Sequence, residues 1–380
     1  MNELENLLKD SIKKQLVADV PVGVLLSGGI DSSLVTALAA RGNKTIKTFT
    51  ITFPGHKRYD ESLHAKQISE YFETDHLELP LPEIGTDIIF KLAKQYDEPL
   101  TDSSMIPTYF VANLVKKHCD VALGGDGADE LFGGYSHYSR LLWTKKYFRY
   151  LPKILKNILS YCSTNYLPLG FKGRNWFQSL ANDLENKIPF IASYFDRYSR
   201  EKLLLNSQNY SFNAEKVRSN NIPITHDLIQ RLTKYDFLNY LSEDILVKVD
   251  RASMLNSLEI RAPFLDYRII EFAFSSVPSE LKTSTSNRKI ILKNLAKKLL
   301  PKDIDLKRKQ GFSVPLDTWL KQPPWLNLFK EVLLTSNDSL FNSNFIEGLF
   351  KGQQKGLINS ERLFSLVLFE LWRREYKITL

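Results

Sequence analysis

Seven residues near the N-terminus, Ser27-Gly28-Gly29-Ile30-Asp31-Ser32-Ser33, combine two glycines, three serines and one aspartate. They separate two segments of different character. Residues 22–26 (VGVLL) form a short apolar run after Pro21, which predicts a buried strand. Residues 32–41 are good helix formers, and Gly42 follows where a helix end favours glycine. A glycine-rich turn from a strand into a helix presents backbone N–H groups and the positive end of the helix dipole. It is a site for an anion, and phosphate suits it best. The plainer alternative is a tight turn with Asp31 or Ser32 as the helix cap.

A second cluster, Gly124-Gly125-Asp126-Gly127-Ala128-Asp129-Glu130, follows another strand-like run at residues 121–125. Further strand-like runs lie at residues 46–53 (IKTFTITF) and 76–80 (HLELP). Helical segments separate them, for example the one that starts near Asp60. Such alternation predicts an α/β fold with a parallel sheet covered by helices on both faces. Ligands then bind beyond the C-terminal strand ends, so the two glycine clusters are expected to converge.

The chain has 380 residues, enough for two domains or one large α/β unit. We read residues 1–140 as a nucleotide-binding core. Residues 141–235 read as a divergent helical insertion, and 236–380 as a mainly helical part that completes the site. Leu4, Leu7, Leu8, Ile12 and Leu16 share one face of an N-terminal helix with no signal-peptide pattern. No apolar run reaches transmembrane length. Cys119 and Cys162 are the only cysteines, which excludes a disulfide scaffold and suits a reducing cytoplasm. The net charge of +8 suits polyanionic ligands without specifying nucleic acid. Residues 140–156 (RLLWTKKYFRYLPKILK) read as a packed helix with a solvated face; contact with a membrane surface or RNA is the alternative.

Known phosphate-binding patterns narrow the chemistry. There is no Walker A loop, and the second glycine cluster breaks the dinucleotide fingerprint at its last position. Gly23 and Ser27 have the wrong spacing for a nucleophile elbow. What remains, S-G-G-x-D-S-S, resembles the pyrophosphate-binding loop of ATP pyrophosphatases, which cleave ATP between the α and β phosphates. With "DEPLTDSSMIPTYF", "VALGGDGADELFGGY", "LVKVDRASMLNSLEIRAPFLDYR" and "KRKQGFSVPLDTWL", it is similar, in order, to the synthetase domain of the asparagine synthetase family. The likeness runs from about Leu4 to the C-terminus and is weakest over 140–235.

That resemblance implies a Rossmann-like ATP pyrophosphatase core and an ATP-dependent carbon–nitrogen ligase. ATP adenylates a carboxylate, the side chain of aspartate, and ammonia displaces AMP to give asparagine. Leu26 and Ile51 resemble backbone contacts to adenine and ribose. Ser27, Gly28, Gly29, Ser32 and Ser33 match the phosphate loop. Gly124 and Gly125 match the stretch beside the nucleotide, with Gly124 in place of a serine common in relatives. Asp31 and Asp129 match the carboxylates that hold Mg²⁺. Asp126, Lys289 and Lys309 match catalytic positions near the acyl group and the phosphates. The glutaminase half that usually supplies ammonia has no counterpart in the sequence, so a separate glutaminase subunit or domain is one expected partner. A homodimer is another, and neither nucleic acid nor a membrane is expected.

Two other readings use the same loop. An acyl-adenylating cyclase or amidating enzyme would take a different acid, but lactam-forming relatives place a tyrosine where this chain has Asp126. Thiolating tRNA-modifying enzymes need paired cysteines, which Cys119 and Cys162 do not offer. Asp250, Arg251, Glu259, Arg261 and Asp266 read as a buried ion-pair network on helices. The six histidines show no metal-ligand spacing.

Overall fold

A computed structural model describes the chain except residues 43–44, 54–59, 186–193, 210–213, 221–224, 226, 307–313, 336–339 and 380. The chain forms two compact units. One comprises Met1–Glu83, Ser104–Leu142 and Asp227–Ser313; the other comprises Ile84–Ser103, Trp143–His226 and Val314–Leu380.

The first unit is built on a five-stranded parallel sheet of order β3-β2-β1-β4-β5. The strands are β1 (Val22–Leu25), β2 (Lys47–Thr52), β3 (Asp75–Pro80), β4 (Val121–Leu123) and β5 (Glu259–Arg261). Four of them lie at the apolar runs of the sequence. β5 was not expected: its three residues fall in a segment read as helical. Arg261 and Glu259 form a partly exposed pair beside it. β5 pairs in parallel with β4, Ala122 opposite Ile260. Chain order reverses at β1, which has β2 on one side and β4 on the other. A parallel sheet opens a crevice at such a reversal, beyond the strand ends.

α2 (Ile30–Gly42) carries an unbroken buried run from Ser32 to Ala40, so it is covered on all sides. α1 (Asn2–Gln15) packs against it and buries Leu4, Leu8 and Ile12, the face read from the sequence. α3 (Ser62–Tyr71) follows β2. α2 starts at Ile30, so Asp31 and Ser32 lie within its first turn and do not cap it.

The five interleaved charges do not form a buried network. Asp250 and Arg251 pair at the surface, and Asp266 caps the helix Tyr267–Ser275 and pairs with Arg268. Each finds a partner close in sequence, where water screens the pair.

In the second unit the helix Ser360–Glu375 packs against Asp87–Gln95, Pro323–Leu334 and Ser343–Gln354. Buried Glu370 is held by Arg373 and Arg374 on the same helix. The stretch 140–156 is not one helix: Ser136–Phe148 ends, and Lys153–Asn165 begins after Pro152. Proline fixes its own φ and has no N–H to continue the first helix.

In the first unit Lys282 is fully buried. Its Nζ donates to Gln230 Oε1 at 3.1 Å and lies over the Phe274 ring at 4.6 Å. Burial pushes the ammonium down to about 7, against the opposing pull of Asp227. The unfolded chain therefore holds this proton more tightly than the fold between pH 7 and the ordinary lysine range. The cost to stability is full at and below pH 7 and disappears near pH 10.5. Lys282→Met should raise stability at pH 6.5 by about 2 kcal/mol, with the gain shrinking as pH rises toward 10. Denaturant melts of both proteins across this range check it; a gain independent of pH would show that packing alone is responsible.

Candidate functional site

The loop after β1 is knitted by its own serines. Ser32 Oγ lies 3.0 Å from Ser27 Oγ, accepts from Ser27 N at 3.2 Å and donates to Gly29 O at 3.2 Å. Gly29 N donates to Ser27 Oγ at 3.3 Å. Gly28 makes the turn at φ +73°, a region where side chains are strained. The loop is thus shaped by its own hydrogen bonds. Ser27 is exposed at its open side, whereas Ser33 is wholly buried and its hydroxyl has no hydrogen-bond partner among the described residues. Leu26 has its side chain in the core and donates its N–H to Phe49 O at 2.8 Å. Its carbonyl accepts from Thr50 Oγ1. Ile51 is half-buried on β2 and packs toward Phe49 and Leu79.

The loop after β4 closes on this one. A Cβ on Gly125 would lie 3.0 Å from Asp31 Cβ and 3.3 Å from Ser32 N, so the second loop rests on the first turn of α2. Gly124 N donates to Arg261 O at 2.8 Å, which ties the same loop to β5. A Cβ on Gly124 would meet the Asp126 carboxylate at 2.9 Å. A serine there would crowd that carboxylate.

At the meeting point lies a lysine. Lys289 Nζ pairs with Asp31 Oδ2 and, at 2.6 Å, with Asp129 Oδ1. Its side chain is buried. Burial works against its charge, but Asp129 and Asp31 outweigh this and hold the ammonium above its ordinary range. Its backbone is left-handed, φ +52° and ψ +42°, just before the helix Ile290–Leu299. Such a conformation costs a non-glycine residue about 1–2 kcal/mol and persists where the surroundings demand it.

Several contributors lie inside the motif stretches of the sequence but are not singled out by them. Gly134 lies flush against the clasp: a Cβ there would stand 1.7 Å from Asp129 Oδ1 and 2.3 Å from Lys289 Cε. Its carbonyl accepts from Arg288 Nη1 at 3.3 Å. The only sequence signal is the glycine pair after "DELF". Glu130 is buried and accepts from Tyr135 OH. Burial pushes its carboxyl up to about 7, against the pull of that hydrogen bond. Tyr135 stacks on His137, and both Tyr138 OH, at 2.7 Å, and His137 Nε2, at 2.9 Å, meet Asp236 Oδ2. This network fixes the short helix Ala128–Phe132 that carries Asp129. Burial also pushes the Asp126 carboxyl up, and the buried ammonium of Lys248 works against that push. Lys248 follows the π-helix Phe237–Ile245, a geometry frequent at functional sites. Lys309 lies outside the described residues.

The asparagine synthase family model matches residues 3–374. The chain belongs to the asparagine synthase family. It is similar to glutamine-hydrolysing asparagine synthetase 1 of Bacillus subtilis, 31% identical over 378 residues, which cover 98% of this chain and 59% of that protein. A putative glutamine-hydrolysing asparagine synthetase of Mycobacterium tuberculosis H37Rv is 32% identical over 382 residues, covering 98% and 57%. A third, from Methanocaldococcus jannaschii, is 34% identical over 275 residues, covering 70% and 51%. The chain therefore spans less than three-fifths of the length of these relatives.

Gly134→Ala should displace the clasp while leaving the fold standing, because the atoms in its way are ends of flexible side chains. We expect a stability loss of about 1–2 kcal/mol. We also expect faster acylation of Lys289 by an amine-reactive probe, read by mass spectrometry. Unchanged labelling of Lys289 would mean that the glycine does not hold the pair in place.

Proposed function

We propose that this chain carries the ATP-dependent amide-forming half-reactions of an asparagine synthetase. The carrying observation is the convergence of the Ser27–Ser33 loop with Asp129 at one cation, beyond the ends of β1 and β4. The substrates are ATP, the side-chain carboxylate of aspartate and ammonia. The carboxylate oxygen attacks the α-phosphorus, the bond to the β-phosphate oxygen breaks, and pyrophosphate leaves. Ammonia then attacks the acyl carbon, the acyl–oxygen bond breaks and AMP leaves; the nitrogen gives up a proton.

The loop serines and the amides at the start of α2 would hold the leaving pyrophosphate. Lys289 and Lys309 would bear on the charge that gathers at the phosphates. Asp126 would face the acyl group. Leu26 and Ile51 would border the adenosine, and Gly124 and Gly125 would let it approach. Mg²⁺ suits this donor set. Asp31 and Asp129 offer hard oxygens where the Lys289 ammonium lies, so Mg²⁺ would share the two carboxylates with that ammonium or displace it. Among the described residues no group of three or more His, Cys, Asp or Glu forms a complete metal site. Magnesium commonly uses one or two carboxylates and completes its shell with phosphate oxygens and water. When bound it would neutralise pyrophosphate as a leaving group.

Ammonia itself is the proposed nucleophile, whatever step releases it. The Cys119 thiol is buried and pushed up to about 11 by that burial, which makes it inert as a glutaminase nucleophile.

The purified chain, supplied with Mg²⁺, ATP, aspartate and ammonium, should yield AMP, pyrophosphate and asparagine by mass spectrometry. Glutamine should not replace ammonium. Asp31→Asn should lower kcat on the order of 10²-fold and raise the Mg²⁺ requirement. Its melting temperature without ligand should change little, since Asp129 still pairs with Lys289. ADP and inorganic phosphate as products, or full activity in Asp31→Asn, would overturn the assignment.

A further inference from the structure

The helix Lys153–Asn165, in the second unit, is amphipathic the wrong way round. Its inward side is mainly polar, with half-buried Leu159 among Ser160, Ser163 and Thr164. Ser160 Oγ donates to Gln178 O at 3.0 Å, and Thr164 Oγ1 accepts from Gln178 Nε2 at 3.0 Å. Arg174 Nη2 donates to the Thr164 carbonyl at 3.2 Å, and Ser163 is buried. Its outward side is apolar. Ile154, Leu155, Ile158 and Tyr161 recur at helical spacing and share one face. Ile154 is 75% exposed, Ile158 51% and Tyr161 62%. The expected solvated face is therefore replaced by a stripe of aliphatic and aromatic side chains. Tyr150 precedes the helix and Tyr166 follows it, both well exposed.

Basic residues predominate near this stripe, although Arg174 is buried against Asp196 and Lys145 pairs with Glu185. From residue 143 to residue 182 there are seven Lys and Arg and no Asp or Glu. Lys146, Arg149, Lys153 and Lys172 are exposed. Lys146 and Arg149 lie over the rings of Tyr147 and Tyr150, each 5.2 Å from the centroid. These aromatic rings and basic heads are placed as at a boundary between water and apolar matter.

We propose that this face docks on the surface of an anionic phospholipid bilayer. The helix would lie in the plane of the interface, with Ile154, Leu155, Ile158 and Tyr161 among the upper acyl chains and the basic residues at the headgroups. Its 13 residues span about 20 Å, which suits lying flat and not crossing. Among the described residues no helix is long and apolar enough to cross. Charge complementarity selects this occupant. A second copy would bring two basic faces together, which repel. Single-stranded RNA would use the aromatic rings, but Ile154, Leu155 and Ile158 offer a base neither stacking nor a hydrogen bond.

The test is co-sedimentation of the purified chain with vesicles of phosphatidylcholine, with and without phosphatidylglycerol. We expect binding to the anionic vesicles only, weakened by salt, and a blue shift of tryptophan emission that Trp143→Phe diminishes. Ile154→Ser with Ile158→Ser should lower partitioning about tenfold or more. Arg149→Glu with Lys153→Glu should abolish the preference for anionic lipid. Both pairs point outward, so melting temperatures should hold; the unmodified chain's own shift keeps the test decisive if they do not. No binding to anionic vesicles overturns the proposal, as does binding that survives both double variants. So does a dimer in velocity sedimentation that the isoleucine changes dissolve, or RNA displacing the vesicles.

Discussion

Asp31 and Asp129 carry like charge and reach one point from the ends of different strands. Two carboxylates about 4 Å apart repel by roughly 4 kcal/mol at an effective dielectric near 20. Lys289 between them turns that repulsion into two attractions. Everything around the clasp serves to bring these three groups together. Gly125 lets the second loop settle on α2, and Gly134 leaves the volume in which the pair lies. The left-handed backbone of Lys289 fits the same account, because the clasp stabilises a conformation that the residue alone would avoid.

The sheet supplies the coarse convergence before any side chain acts. With β2 and β4 on opposite sides of β1, the turns after β1 and β4 leave the sheet in neighbouring positions. No side-chain interaction is needed to bring the glycine clusters near each other; strand order does it. Side chains add the last few ångströms. The Glu130–Tyr135 hydrogen bond and the Asp236 contacts of His137 and Tyr138 hold the helix that presents Asp129. Ser27 and Ser32 of the first loop satisfy one another in the same way, so the loop holds its shape through its own hydrogen bonds.

Much of this was legible in the sequence, and the rest was hidden for identifiable reasons. β1 and β4 are short apolar runs that announce buried parallel strands, whereas the edge strand β3 reads through its alternation. β5 is three residues long with charged ends, so it reads like the helices beside it. Asp31, Asp129 and the glycine loops were found by motif. The pairing of Lys289 with both carboxylates was not, because a charge interaction across the chain leaves no local pattern. Ser33 belongs to the motif and is wholly buried, with no partner for its hydroxyl among the described residues; motif membership does not tell how each side chain is placed. Gly134 shows its role only once the atoms around it are placed.

The helix Lys153–Asn165 marks a different limit. Its spacing of Ile154, Ile158 and Tyr161 reveals two faces, and that much is readable. Periodicity is the same whichever face turns inward. The usual inference, apolar face to the core, assumes that the neighbour is apolar too. Here the neighbour is the helix Arg174–Ser179, which offers the Arg174 guanidinium and the Gln178 amide. The buried Arg174 guanidinium and half-buried Gln178 amide need acceptors; Asp196 serves both, and the remaining donors turn to this helix. Thr164 Oγ1 and the Thr164 carbonyl meet part of that need beside Asp196, and Ser160 donates to the Gln178 carbonyl. The polar side is thereby drawn inward, and the apolar side is left facing out among lysines. The orientation of an amphipathic helix is thus a property of the pair, and one residue on the partner can invert it.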